Sequence, residues 1–170
     1  YYALGYAFEH RLNDTWQFKQ NLRYTKSDLS FQSLTPGSYP FTQVDDQGNV
    51  GRTSTSVDED ISQFAVDNNF QADFATGDIT HTLLLGLDHQ RVNTNYLSIF
   101  GFNVPDSNVN NPVYGVPITR PDRSTAFYDY NQKSRQTGLY VQDQMALGNW
   151  RLTLGGREDW VHTGTRYLNQ

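Results

Sequence analysis

The sequence predicts an all-β chain, an antiparallel meander of about six strands, and three observations carry that prediction. Apolar residues recur at every second position, where a helix would repeat them every 3.6. β-branched and aromatic side chains, which suit a pleated and half-covered surface, fill many of those positions. The connections run short, long, short, long, short, and the short ones hold Asn, Asp and Gly.

Each segment is justified by its alternation. The first places Tyr2, Leu4, Tyr6 and Phe8 on one parity and Ala3, Gly5, Ala7 and Glu9 on the other, so a strand there has two chemically different faces. The second opposes Trp16, Phe18, Leu22 and Tyr24 to Gln17, Lys19, Asn21 and Arg23. In the third, Phe64, Val66, Phe70, Ala72 and Phe74 alternate with Gln63, Asp67, Asn69, Gln71 and Asp73. The fourth sets Ile79, Leu83, Leu85 and Leu87 against Thr80, Thr82, Gly86, Asp88 and Gln90, with Leu84 breaking the polar row. The fifth carries Leu139, Val141, Met145 and Leu147 opposite Tyr140, Gln142 and Gln144, and the sixth Trp150, Leu152, Leu154 and Trp160 opposite Arg151, Thr153, Arg157 and Asp159. Asn68, Asp143 and Glu158 fall on the apolar parity. Arg11 to Thr15, Ala75 to Asp78 and Leu147 to Asn149 read as short turns. Roughly Ser27 to Asp58 and Val92 to Ser134 read as long loops, well beyond the usual length of a structureless connection.

Composition removes several classes of function. With 13 Lys and Arg against 18 Asp and Glu, the net charge of −5 argues against a partner recognised through its phosphates, so no nucleic acid is expected. The chain has no cysteine, hence no disulfide, thiolate metal site or cysteine nucleophile. No apolar run is long enough for a transmembrane helix. His81 and His89 stand 8 residues apart on extended backbone, too far to share an ion, and no metal site is expected. Glu158 and Asp159 are neighbours on a strand and point to opposite faces, so they cannot flank one glycosidic bond. No other pair of acids suggests catalysis, and the chain is not read as an enzyme.

Alternation alone serves a soluble sheet and a membrane barrel equally, because the apolar face can meet a core or lipid. Aromatic placement favours lipid. On the apolar parity Trp16 and Tyr24 are 8 residues apart, Phe64 and Phe74 are 10 apart, and Trp150 and Trp160 are 10 apart. Ten residues on a strand tilted about 45° climb roughly 24 Å, close to the ~25 Å apolar band between the aromatic girdles of an outer-membrane barrel. These six aromatics are therefore expected at the membrane girdles. The opposite parity, with Lys19, Arg23, Asp67, Asp73, Arg151, Arg157 and Asp159, then faces a polar lumen. Six strands cannot close, and an unpaired edge is costly in lipid, so the chain is expected to be a portion of a larger barrel. A soluble β-sheet binding module and a segment of a passive outer-membrane porin are the alternative readings.

Three stretches carry a resemblance: GYAFEHRLNDTWQFKQNLR from Gly5, FATGDITHTLLLGLD from Phe74 and QTGLYVQDQMALGNWRLTLGGREDWV from Gln136. In order and content the chain resembles the barrel of TonB-dependent siderophore receptors, most closely those of ferrichrome type. The resemblance implies that residues 1–170 are a consecutive portion of a 22-stranded barrel, without the plug domain, the TonB box or the C-terminal strand. It implies TonB-dependent uptake of a ferric siderophore of hydroxamate type at the cell outer membrane of a Gram-negative bacterium. No cofactor is held by the protein itself, since iron(III) travels as the siderophore chelate. The implied partners are the siderophore, outer-membrane lipid, the TonB–ExbB–ExbD complex acting through the missing N-terminal part, and phage or colicin docking on the loops.

Ligand contacts implied by the resemblance fall in the two long loops. An aromatic in a pattern like the FGF from Phe100 to Phe102 faces the siderophore in such receptors, which marks Phe100 and, beside it, Phe102. The first loop reads SLTPGSYPF where those receptors carry a Tyr-Gly-Tyr run beside a disulfide, and Phe31, Tyr39 and Phe41 could supply similar aromatic walls. Ordinary packing inside a loop accounts for these rings equally well.

Overall fold

The structure, a computed structural model, describes residues 1–37, 44–102 and 104–168. Strands β1 (Tyr2–Arg11), β2 (Trp16–Pro36), β4 (Arg52–Thr76), β5 (Ile79–Gly101), β7 (Ala126–Leu147) and β8 (Trp150–Tyr167) form one six-stranded sheet. Each strand lies beside its sequence neighbour, so the sheet is an antiparallel meander with β1 and β8 at its edges. A two-residue pair, β3 (Asn49–Val50) and β6 (Ser107–Asn108), forms a second small sheet.

The three short turns fall where the sequence places them. At β1–β2, Asn13 Oδ1 accepts the backbone N–H of Thr15 at 2.9 Å and of Trp16 at 2.8 Å, an Asx-type closure. The β4–β5 and β7–β8 hairpins have two-residue turns whose first residues, Gly77 and Gly148, take φ of +61° and +52°. Primed hairpin turns require that left-handed backbone, which glycine adopts without steric cost.

Register bears out the two-faced reading. Leu4 lies opposite Tyr24 and Tyr6 opposite Leu22 on one side of the β1–β2 ladder, while Glu9 faces Lys19 and Gly5 faces Arg23 on the other. The off-parity polar residues are mostly partnered across strands. Gln20 Nε2 donates to Asn68 Oδ1 at 2.5 Å, the Tyr6 hydroxyl donates to Gln20 Oε1, and His81 Nδ1 lies 2.8 Å from Asp143 Oδ2 with Phe74 stacked on the imidazole at 4.7 Å. A polar group facing a medium that cannot hydrogen-bond is costly unless paired, and these pairs meet part of that demand, leaving His81 Nε2 and Asp143 Oδ1 buried without a hydrogen bond among the described residues.

The sheet has almost no interior. Among the described residues only Val50, Ala72 and Ile99 are buried hydrophobics, whereas Trp150 is 80% and Leu4 70% exposed. Among the described residues no second layer covers Leu4, Leu139, Trp150, Leu152 or Trp160.

The long loops require a correction. Residues 27–36 and 52–58 belong to strands, as do 92–101 and 126–134, so among the described residues the irregular stretches shrink to 44–48, 104–106 and 109–122. There the alternation fades, as in KSDLSFQSL and RTSTSVDED, because a hairpin wet on both sides needs no apolar face. Two compact units divide the chain. The first comprises Tyr1–Ser27, Ile61–Asn93 and Gln132–Gly164, and the second Asp28–Asp60, Thr94–Asn131 and Thr165–Gln170.

Candidate functional site

In the first unit the polar parity builds a connected charge network. Arg157 bonds Asp88 through Nη1 at 2.5 Å and Nη2 at 3.1 Å, and Asp159 through Nε at 2.8 Å and Nη2 at 2.6 Å. Gln136 Nε2 also donates to Asp159 at 2.9 Å. The same guanidinium lies 5.7 Å from the centre of the Tyr140 ring, within cation–π range. The Tyr140 hydroxyl reaches across Gly86 to donate to Asp67 Oδ1 at 2.7 Å, and Asn69 Nδ2 donates to Asp67 Oδ2 at 2.8 Å. Such a polar wall suits a wet or plugged lumen and holds no nucleophile or acid–base pair arranged for chemistry.

In the second unit aromatic rings collect. Tyr96 and Tyr130 stack with centroids 5.3 Å apart, and Tyr167 meets Tyr130 edge-on at 6.0 Å, so β5, β7 and β8 each contribute one ring. Phe127 packs edge-on against Phe100 at 5.6 Å and against Tyr128 at 4.6 Å. Leu29, Glu59, Tyr96 and Tyr130, on four neighbouring strands, line a hollow of about 420 Å³. Asp28, Asp58, Asp60, Arg123 and Asp129 are its other charged lining residues. Arg123 donates to both carboxylate oxygens of Asp129 at 2.6 and 2.8 Å, and Arg120 donates to Asp58 at 2.6 Å with Ser30 adding a second hydrogen bond at 3.0 Å. The Arg120 hydrogen bond holds the Asp58 carboxyl below the usual carboxylate range, while Asp129 holds the Arg123 guanidinium above its usual value.

The irregular segments are joined in the same unit. Asp45 accepts from Asn49 N at 2.7 Å and Asn49 Nδ2 at 2.9 Å, and these bonds keep its carboxyl below the ordinary range. Asn108 Nδ2 reaches back to Gln47 O and Asn49 Oδ1, both at 2.9 Å, beside the β3–β6 ladder. The two loops expected from the sequence are therefore stitched together through asparagine and aspartate side chains.

Of the ring positions expected to meet a ligand, Phe100 joins the Phe127–Tyr128 cluster. Phe102 is 59% exposed and Phe31 49% exposed. Tyr39 and Phe41 lie outside the described residues. The expected girdle residues Trp16, Tyr24, Phe64, Phe74, Trp150 and Trp160 all belong to the first unit. Sequence reasoning missed Tyr96, Tyr130, Tyr167, Phe127 and Glu59. The run FYDY from Phe127 and the lone Tyr96 carry a parity signal, but it lies inside the stretch 92–134 whose Pro, Gly, Asn and Ser content reads as loop.

The family model described as TonB dependent receptor-like, beta-barrel matches residues 1–170. The chain is 35% identical, over 180 aligned positions, to the ferrichrome outer membrane transporter/phage receptor of Escherichia coli (strain K12), covering 93% of this chain and 23% of that protein. It is 32% identical to the ferrioxamine receptor of Yersinia enterocolitica, covering 94% of this chain and 22% of that one. The chain thus spans less than a quarter of the length of these relatives. Among solved structures, the closed form of the ferric-catecholate import receptor Fiu from K12 E. coli superimposes with a TM-score of 0.81 at 19% identity, covering 97% of this chain and 24% of that one, which shows a shared fold.

Proposed function

The chain belongs to the TonB-dependent receptor-like β-barrel family, a family of transporters and receptors and not of enzymes, and from that premise we propose that the whole protein imports a ferric hydroxamate siderophore across the outer membrane of a Gram-negative bacterium. The observation that carries the proposal is the gathering of tyrosine and phenylalanine rings in the second unit, two of which, Tyr96 and Tyr130, line a hollow of about 420 Å³, in a chain whose relatives are named for ferrichrome and ferrioxamine. A trihydroxamate chelate presents methylenes and weakly charged oxygens. Aromatic walls with hydroxyl tips suit both, by apolar contact and by hydrogen bonding.

Residues 1–170 supply a portion of the barrel, which lies outside the plug domain, the TonB box and the C-terminal strand. Phe100, Phe102, Phe31, Tyr39 and Phe41 are carried forward as ligand-facing candidates, and the Tyr96, Tyr130 and Tyr167 ladder joins them. Trp16, Tyr24, Phe64, Phe74, Trp150 and Trp160 form the girdles where the apolar parity meets lipid. The iron(III) chelate is the substrate and needs no covalent chemistry. Energy reaches the barrel from TonB–ExbB–ExbD through the rest of the receptor. Phage or colicin docks on the exposed loops; the ferrichrome relative is itself named a phage receptor.

The test is uptake of radioactive iron, supplied as a ferric trihydroxamate, by iron-starved cells with and without the intact receptor gene. We expect saturable uptake lost on deletion of the gene and equally lost on deletion of tonB. Uptake that persists without the gene, or a protein that fractionates away from the outer membrane, overturns the reading.

A further inference from the structure

A smaller hollow of the second unit, about 170 Å³ in volume, is lined by β2, β4 and the side chains of Ile118 and Arg120. Strand alternation puts Ser30, Gln32 and Leu34 on one face of β2, and Ser54, Ser56 and Asp58 on one face of β4. Asp58 accepts from both Ser30 and Arg120, so the two faces look the same way and the segment through Arg120 lies over them. A Cβ built on Gly101 would meet Ser54 Oγ and Pro121 Cγ alike, which brings the same segment against Ser54. Two hydroxyls are shut in beneath this cover. Ser54 is 6% and Ser56 4% exposed, and both line the hollow. Ser54 Oγ reaches Gly101 O only at 3.4 Å, beyond the ordinary range, and the Ser56 hydroxyl meets no hydrogen-bond partner among the described residues. Burying a hydroxyl without a partner is costly, so a guest that supplies partners is favoured there.

The lining selects the chemistry of that guest. Among the described residues no carboxylate lines the hollow, which argues against a hard cation. Its one charge, Arg120, is already met by Asp58, which argues against an anion. What remains are hydroxyls and the Gln32 amide, groups that donate and accept, beside the aliphatic side chains of Leu34 and Ile118. A cavity of about 150 Å³ takes one six-membered ring. We propose that this hollow binds a single neutral pyranose ring, its hydroxyls against Ser54, Ser56 and Gln32 and its C–H face against Leu34 and Ile118. The site shares no lining residue with the hollow of Tyr96 and Tyr130, and the inference does not depend on the siderophore reading. The ring arrives as a free sugar or as the end of a glycan chain.

The test is saturation-transfer NMR on the complete receptor, held in a detergent without a sugar headgroup. The free probes are the methyl α-glycosides of glucose, galactose and mannose, and the tethered probe is a soluble dextran, galactan or mannan matched to the preferred one. We expect saturable transfer to at least one glycoside and a preference among the epimers of about tenfold, since a misplaced sugar hydroxyl leaves a buried serine unpaired. Ser56→Leu, which fills the hollow, should abolish the transfer. Ser56→Ala removes one buried oxygen and should weaken binding about five- to tenfold, which keeps the test open where the leucine variant does not fold. Transfer to the polymer as well as to the glycoside identifies a glycan end, and transfer to the glycoside alone a free sugar. No transfer to any of the three glycosides, or transfer unchanged by substitution of Ser56, overturns the proposal and leaves the siderophore reading standing.

Discussion

At Gly86 the absence of a side chain is a structural requirement. A Cβ built there would lie 1.9 Å from Tyr140 Cζ and 2.3 Å from its hydroxyl oxygen, because the ring crosses β5 to reach Asp67 on β4. Gly86→Ala must push the ring aside, and the Tyr140–Asp67 hydrogen bond and the Arg157 contact go with it. Overpacking of this kind costs about 1–3 kcal/mol. Unfolding of the detergent-solubilised receptor by heat should show that loss in Gly86→Ala. In a Tyr140→Ala background the same substitution should cost only a few tenths of a kcal/mol, since the ring it collides with is gone. Equal losses in both backgrounds would mean that the ring does not occupy the space above Gly86. Residue-scale pairing also accounts for positions that break the alternation. Asn68 and Asp143 stand on the apolar parity where Gln20 and His81 each meet one of their oxygens across the sheet, Asp143 through Oδ2 alone.

Pairing partners of this sort are invisible in a linear pattern, and the same distinction holds for whole elements. The strand faces, the three tight turns and the order of the meander were legible, because one face of each strand must be apolar and each turn needs Asn, Asp or Gly. The continuation of β2, β4, β5 and β7 was not, since hairpins solvated on both sides carry no period-2 signal. The tyrosine ladder was hidden for that reason. Equally hidden was the β3–β6 pair, whose two-residue strands are held by the side chains of Asp45, Asn49 and Asn108 as much as by the ladder. A pH dependence follows for these loop ties. Asp45, lowered by Asn49, and Asp58, lowered by Arg120, have folded-state pKa values below the ordinary ~3.9 of an aspartate. Their contribution is complete above that ordinary value and is lost as pH falls through the lowered one. Amide exchange at Asn49 and Val109, corrected for its intrinsic pH dependence, should therefore keep constant protection from pH 7 to about 5 and lose it below about 4. Loss of protection already between pH 7 and 6 would implicate a histidine in place of these carboxylates.

At the scale of the whole molecule the deciding quantity is the apolar surface without a partner. Leu4, Tyr6, Phe8, Leu139, Leu152, Leu154 and Trp160 are exposed, and only three apolar residues are buried among the described ones. A soluble sheet of this area would have to cover that face with a second layer, since burial of apolar side chains is what offsets the conformational entropy of folding. Strands β1 and β8 also leave edge N–H and C=O groups unpaired, a template for further pairing. Lipid on the apolar face and neighbouring strands at both edges answer the two demands together, as a barrel does. Residues 1–170 produced alone in detergent-free buffer should accordingly fail to remain monomeric. Sedimentation should show species many times the 19.5 kDa of the chain, and detergent micelles should reduce them. Substituting charged residues at Leu4, Leu152 and Leu154 should improve solubility of the isolated segment and, in the complete receptor, impair membrane insertion. A discrete 19.5 kDa monomer in water, with Trp150 and Trp160 shielded from quenchers, would place a protein core against this face and favour the soluble binding module.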